Sequence, residues 1–130
     1  MHDLFIYGTL MPGLRLEAEM HGALCLGPAR VPGRLVDLGR YPGLLSGPGE
    51  VVGQIYRVSD ARLARLDQVE EVVPGDRAAS QYWRERVTVL SGALAGQAVW
   101  TYVYNRPPIG LTPIAHGDYR RYLREVGRLS

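Results

Sequence analysis

The chain contains no lysine; all 15 of its basic residues are arginine. Schiff-base chemistry on a lysine is therefore excluded. There is a single cysteine, Cys25, so neither an internal disulfide nor a cysteine-built zinc knuckle can form. Cys25 stands among Ala23, Leu24 and Leu26, a setting that predicts a buried, inert thiol. Phenylalanine is down to one residue, Phe5, against eight tyrosines. Much of the aromatic core must then be phenol, and each buried hydroxyl needs a partner. No apolar run is long enough to predict a membrane span. Met1-His2-Asp3 lacks the basic start of a secretory signal, and a cytoplasmic location is expected. Neither sign of charge dominates, the net being +2. The arginines are interleaved with acids except at Arg120, Arg121 and Arg124, too sparse a cluster for a nucleic-acid face. His2, His21 and His116 lie far apart, so no local metal site is expected. There is no phosphate-binding glycine motif and no nucleophile elbow.

What is present reads as one ordinary domain, residues 1–130, with 46% hydrophobic residues and 22% charged. Leu4 to Ile6 predicts a buried strand that empties into Tyr7-Gly8-Thr9 and is broken by Met11-Pro12-Gly13. Gly8 lets a ligand or a second backbone approach closely, and Tyr7 and Thr9 supply hydroxyls. Residues 14–20 predict a short helix or ordered loop. Residues 29–38 predict a strand, bent at Pro32-Gly33. Ser46-Gly47-Pro48-Gly49 reads as a turn before a strand over 51–58. Ser59 or Asp60 caps a helix with Leu63 and Leu66 on its apolar face. Alternation predicts strands over 81–90 and 97–105, and residues 117–128 an amphipathic helix. About six strands with two or three helices are too few helices for repeated βαβ units. The expected fold is α+β: a small, strongly curved, mixed β-barrel with two to three peripheral helices.

Chemistry concentrates at Glu70 and Glu71, which Val69, Val72 and Val73 flank. A carboxylate held among apolar side chains has its charged form disfavoured, which suits a proton carrier near neutral pH. Neighbouring residues point in different directions, so at most one of the two faces a cleft. Arg84 and Arg86 share a strand face; they either pair with acids across the sheet or grip a substrate carboxylate.

The chain resembles the γ-glutamylcyclotransferase-like superfamily, including its small γ-glutamylamine cyclotransferase branch. The resemblance rests on Tyr7-Gly8-Thr9-Leu10, on Gly33 through Pro42 with Asp37 and Tyr41, and on Val51-Val52-Gly53-Gln54-Ile55-Tyr56. It continues through Leu66-Asp67-Gln68-Val69-Glu70, Tyr82-Trp83-Arg84-Glu85-Arg86-Val87-Thr88-Val89 and Gly117-Asp118-Tyr119. The family often carries glycine directly after the motif glutamate, where this chain has Glu71. The resemblance implies a barrel with a cavity and a reaction without metal or organic cofactor. In that reaction the α-amine of a γ-glutamyl group attacks its own γ-carbonyl, releasing 5-oxoproline and an amine. It implies Glu70 as general acid and base, the Tyr7–Leu10 stretch (Tyr7, Gly8, Thr9, Leu10) and Tyr82 at the substrate, and Glu71, Arg84 and Tyr41 as further candidates. The expected partner is a small γ-glutamyl compound, with no nucleic acid, no membrane and no particular oligomeric state indicated. A non-catalytic binding module, or hydrolysis of a related amide, stands as the alternative. Loops 72–80 and 106–116 are where specificity for the amine half would lie.

Overall fold

The computed structural model describes residues 1–128. Strand β1 (His2–Ile6) lies inside a seven-stranded mixed sheet, antiparallel to β3 (Pro42–Val58) and parallel to β6 (Ala98–Tyr104). Beyond β3 lies β2 (Leu24–Asp37), edged by β5 (Ser91–Gly92) and β7 (Thr112–Ile114). Beyond β6 lies β4 (Tyr82–Thr88). The sheet curls into a half-barrel, bringing Glu85 and Val87 of β4 to one cavity with Pro32 of β2 and Leu44 and Leu45 of β3. Two helices complete the fold: α1 (Asp60–Val69) and α2 (Tyr119–Glu125). The expected α+β class and mixed, curved sheet are present.

The glycine that lets β1 sit so deep is Gly53. A Cβ there would lie 2.1 Å from the Ile6 carbonyl oxygen and 2.6 Å from the Phe5 ring. The one phenylalanine thus fills space that a neighbouring side chain must vacate. Phe5, Leu4, Val31, Val51, Ile55, Leu66 and Val99 are fully buried around it.

Several elements differ from the expectation. Ser46 to Gly49 is no turn: β3 passes straight through it and keeps its direction. Register jumps there from Pro32 opposite Glu50 to Arg34 opposite Leu45, so residues 46–49 bulge against Gly33 alone. Glycine-rich backbone signals a departure from regular extension, but only the partner strand decides whether the chain reverses or bends. The predicted short helix over 14–20 is a single 3-10 turn, Glu17–Met20. Ser59 does cap α1, its hydroxyl accepting from the Arg62 amide at 3.1 Å, and Asp118 caps α2 in the same way at 3.2 Å. Strand β7 falls within residues read as loop. Cys25 is exposed rather than buried. It sits where β2 has no outer partner strand, so its apolar sequence neighbours do not enclose it.

Candidate active site

Where β1 ends, the chain leaves the sheet and Gly8, Thr9 and Leu10 line a small pocket of about 30 Å³. Phe5 and Ile6 line it from the strand and Tyr7 from just past its end, Tyr41 and Pro42 from the entry to β3, Tyr82 from β4 and Tyr102 from β6. Glu70 enters from the end of α1. Gly8 is there because Pro42 presses on it: an added Cβ would meet the proline ring at 2.8 Å. The loop is held by Met11 N–H donating to the Gly8 carbonyl at 3.0 Å and Leu16 N–H to the Thr9 carbonyl at 2.8 Å. These bonds use carbonyls only. The amide N–H groups of Gly8, Thr9 and Leu10 donate to no other described residue. Thr9 and Leu10 are buried, and buried amides without partners are rare unless a ligand or water completes them.

Three of the pocket's phenols are already committed. Tyr7 donates to the Tyr102 carbonyl at 2.6 Å and accepts from the Leu44 amide at 3.2 Å. Tyr82 donates to the Pro42 carbonyl at 2.6 Å. Tyr102 donates to the Asp67 carboxylate at 2.6 Å. Burial raises the pKa of all three, and the Glu70 charge adds to the rise in each. They are neutral walls with their protons spoken for.

Glu70 is held differently. Its carboxyl takes part in no hydrogen bond or ion pair with another described residue. Burial, and then the nearby Glu71 charge, push its pKa up to about 7. Its place is set by the end of α1. Glu70 is the C-cap; the Glu71 amide donates to the Gln68 carbonyl at 3.1 Å and the Val72 amide to the Asp67 carbonyl at 2.9 Å. This paired closure is a Schellman motif, which puts the following residue in the left-handed region. Glu71 has φ +57° and points to solvent, outside the pocket.

Arg84 is also outside the pocket. It makes a two-pronged ion pair with Asp67 of α1, at 3.1 and 3.2 Å, and lies over Trp100 at 4.4 Å. Its partner comes from the helix, not from across the sheet. Tyr102 and Pro42 are lining residues that sequence reasoning did not single out. Alternation along residues 97–105 puts Tyr102 on one face with Tyr104, but nothing local shows that face meeting α1.

The profile of the family described as "Gamma-glutamyl cyclotransferase, AIG2-like" matches residues 4–121. The chain belongs to this family. A γ-glutamylcyclotransferase family protein, ytfP, of Citrobacter rodentium is 34% identical over 117 residues, 89% of this chain and 93% of the relative. The γ-L-glutamyl-butirosin B γ-glutamyl cyclotransferase of Niallia circulans is 42% identical over 110 residues, 82% of this chain and 69% of the relative. Among solved structures, an AIG2-like protein of Mus musculus superposes with a TM-score of 0.70 at 28% identity, covering 92% of this chain and 88% of that one. Both ends of the pocket, Tyr7–Leu10 and Glu70, fall inside the matched residues of this γ-glutamylcyclotransferase family member.

Proposed function

We propose that this protein is a γ-glutamyl cyclotransferase that converts a γ-glutamyl amide to 5-oxoproline and a free amine, with Glu70 as its proton carrier. The observation that carries the reading is the pairing, in one pocket, of a partnerless carboxyl with three partnerless amides. The attacking α-amine arrives protonated and must lose a proton. The departing nitrogen must gain one. A carboxyl with a pKa of about 7 takes and returns a proton with equal ease at neutral pH. As the amine attacks the γ-carbonyl carbon, negative charge gathers on its oxygen. The N–H groups of Gly8, Thr9 and Leu10 are free to receive that charge, or the substrate's α-carboxylate. When the tetrahedral centre collapses, the bond to the departing nitrogen breaks and the lactam remains. Family membership and the relative named for γ-glutamyl-butirosin B support cyclotransferase-type chemistry; the tyrosine walls support a neutral, shaped cavity around the glutamyl chain.

The test is 5-oxoproline formation from γ-glutamyl amides, with Glu70→Gln beside the wild type. Wild type is expected to form 5-oxoproline, with kcat/KM rising as pH passes through about 7. Glu70→Gln is expected to lose at least about a hundredfold in kcat, the usual scale of general acid–base catalysis. Folding supplies an independent check. A carboxyl whose pKa is raised in the folded state binds its proton more tightly there than in the unfolded chain. It therefore reduces stability as pH rises from about 4.5 to about 7. Glu70→Gln removes that penalty, so urea titrations should find it more stable than wild type by about 2–3 kcal/mol at pH 8 and little changed at pH 4. Glutamate as the product would mean that water is the nucleophile; an active, unshifted Glu70→Gln protein would overturn the assigned role.

A further inference from the structure

Glu70 has no partner of its own among the described residues, yet a proton carrier must sit within a fraction of an ångström of the atoms it serves. Its placement comes from the last turn of α1, and that turn has little apolar anchorage. The buried side chains of α1 are Leu63 and Leu66, both ahead of it. From Asp67 to Glu70 no residue is fully buried. A helix end without apolar contacts frays unless polar contacts hold it.

Asp67 supplies those contacts. Its carboxylate accepts two bonds from Arg84 of β4, at 3.1 and 3.2 Å, and one from the Tyr102 hydroxyl of β6, at 2.6 Å. Its carbonyl accepts from the Val72 amide at 2.9 Å, so the same residue also closes the helix. The pair is largely shielded from water: the Asp67 side chain is 22% exposed and that of Arg84 25%. A two-pronged pair in such a place fixes position as well as charge. Arg84 is itself steadied over the Trp100 ring at 4.4 Å. Asp67 stands one helical turn before Glu70, on the same face. Behind the pocket, Tyr102 passes the connection on. Its carbonyl accepts from the Tyr7 hydroxyl at 2.6 Å, and Tyr7 leads into Gly8, Thr9 and Leu10.

We propose that Asp67 is a positioning residue: clamped by Arg84 and Tyr102, it fixes the last turn of α1 and so keeps the Glu70 carboxyl in the pocket with the amides of Gly8 to Leu10. The inference rests on Glu70 as the proton carrier and adds the residue that sets its geometry. The route is placement rather than charge. The charged and titratable groups around Glu70 are Glu71 beside it, Tyr7, Tyr82 and Tyr102 in the pocket, and the Asp67–Arg84 pair, whose charges offset each other. Losing Arg84 therefore has opposite consequences under the two routes. By charge alone, a lost cation and an uncovered Asp67 anion would raise the Glu70 pKa. By placement, a loosened turn lets water reach Glu70 and lowers its pKa from about 7 toward the ordinary 4.5.

Two measurements are made on the full chain. One is 5-oxoproline formation, with kcat corrected for the folded fraction. The other is the Glu70 midpoint, from carbon-detected NMR of isotope-labelled glutamate carboxyls, its signal identified by absence from Glu70→Gln. Asp67→Ala is expected to lose about tenfold to a hundredfold in kcat, the scale of a misplacement of about 1 Å, with KM within about twofold of wild type. Asp67→Asn still accepts from Tyr102 and from one Arg84 nitrogen, and is expected to recover most of that loss. Arg84→Met keeps Asp67 and stands in if Asp67→Ala fails to fold; it is expected to lower both kcat and the Glu70 midpoint. Arg86→Met takes away an arginine that lies over the same tryptophan, at 4.0 Å, without touching Asp67, and is expected to leave both unchanged. If wild type forms no 5-oxoproline but the midpoint falls in Arg84→Met and not in Arg86→Met, the reaction is wrong and the positioning stands. Wild-type kcat in Asp67→Ala, a midpoint that rises or stays in Arg84→Met, or an equal fall in Arg86→Met overturns the assignment.

Discussion

Glu70 and Glu71 are chemically the same residue, and one backbone rotation separates their fates. The Schellman closure of α1 turns Glu70 inward and holds Glu71 at φ +57°. That is the left-handed conformation a side chain resists and glycine accepts, which gives a physical reason for the glycine often found at this place in the family. Glu71 also contributes to raising the Glu70 pKa, after burial. Glu71→Gly should therefore do two things at once. It should raise stability by about 1 kcal/mol, after the extra freedom of glycine in the unfolded chain is deducted. It should also move the pH midpoint of kcat/KM downward. Urea titration and a pH–rate profile check the two; a midpoint unchanged or raised would show that the Glu71 charge is not felt at Glu70.

At the level of the elements, the pocket is a junction tied by hydroxyls. The Tyr7 phenol joins the exit of β1 to β6 through the Tyr102 carbonyl, and to β3 through the Leu44 amide. Tyr82 joins β4 to β3 at Pro42. Tyr102 joins β6 to α1 at Asp67, which Arg84 of β4 holds from the other side. Tyr7, Tyr82 and Tyr102 thus shape the cavity and also fasten two elements together. Tyr7→Phe would strand the Leu44 N–H inside the protein and leave the Tyr102 carbonyl without its donor. The expected loss is about 1–3 kcal/mol. Tyr82→Phe removes one bond and leaves only a carbonyl, whose second lone pair makes it the easier group to leave short. Denaturant titrations should rank Tyr7→Phe as the more damaging. The reverse order would mean that the Tyr7 hydroxyl is not the joint described.

For the molecule as a whole, the decisive contact is between the start of the chain and its middle and end. Strand β1 pairs with β3, and on its other side with β6 nearly the whole chain away. Its depth depends on Gly53. With backbone oxygen 2.1 Å from the added carbon, Gly53→Ala cannot be absorbed by a rotamer change and must push β1 away from β3. We expect a cost of about 3 kcal/mol or more. For a chain of this size that is a fall in Tm of roughly 10 °C, readable by thermal melting. The pocket should suffer with it, because Phe5 and Ile6 line it from the same strand and Tyr7 follows directly. A stable Gly53→Ala protein would show that the sheet has more slack than the contact implies.

By itself the sequence determined the class of fold and marked the stretches that line the pocket. Alternation along residues 81–90 and 97–105, a capped helix after Ser59 and a buried strand before Gly8 are local signals, and local periodicity carries them without help. The Tyr7–Leu10 loop and the Glu70–Glu71 pair were legible for the same reason: composition and spacing mark a strand emptying into a glycine turn, and an acid among valines. Only the tertiary structure decided the rest. It set Glu70 in the pocket and Glu71 outside it, through the backbone closure at the end of α1. It gave Arg84 to Asp67, exposed Cys25, bent β3 at residues 46–49 instead of reversing it, and brought Tyr102 and Pro42 to the cavity. Each of these depends on which elements lie side by side, and residues that far apart in the chain leave no periodic trace of their meeting.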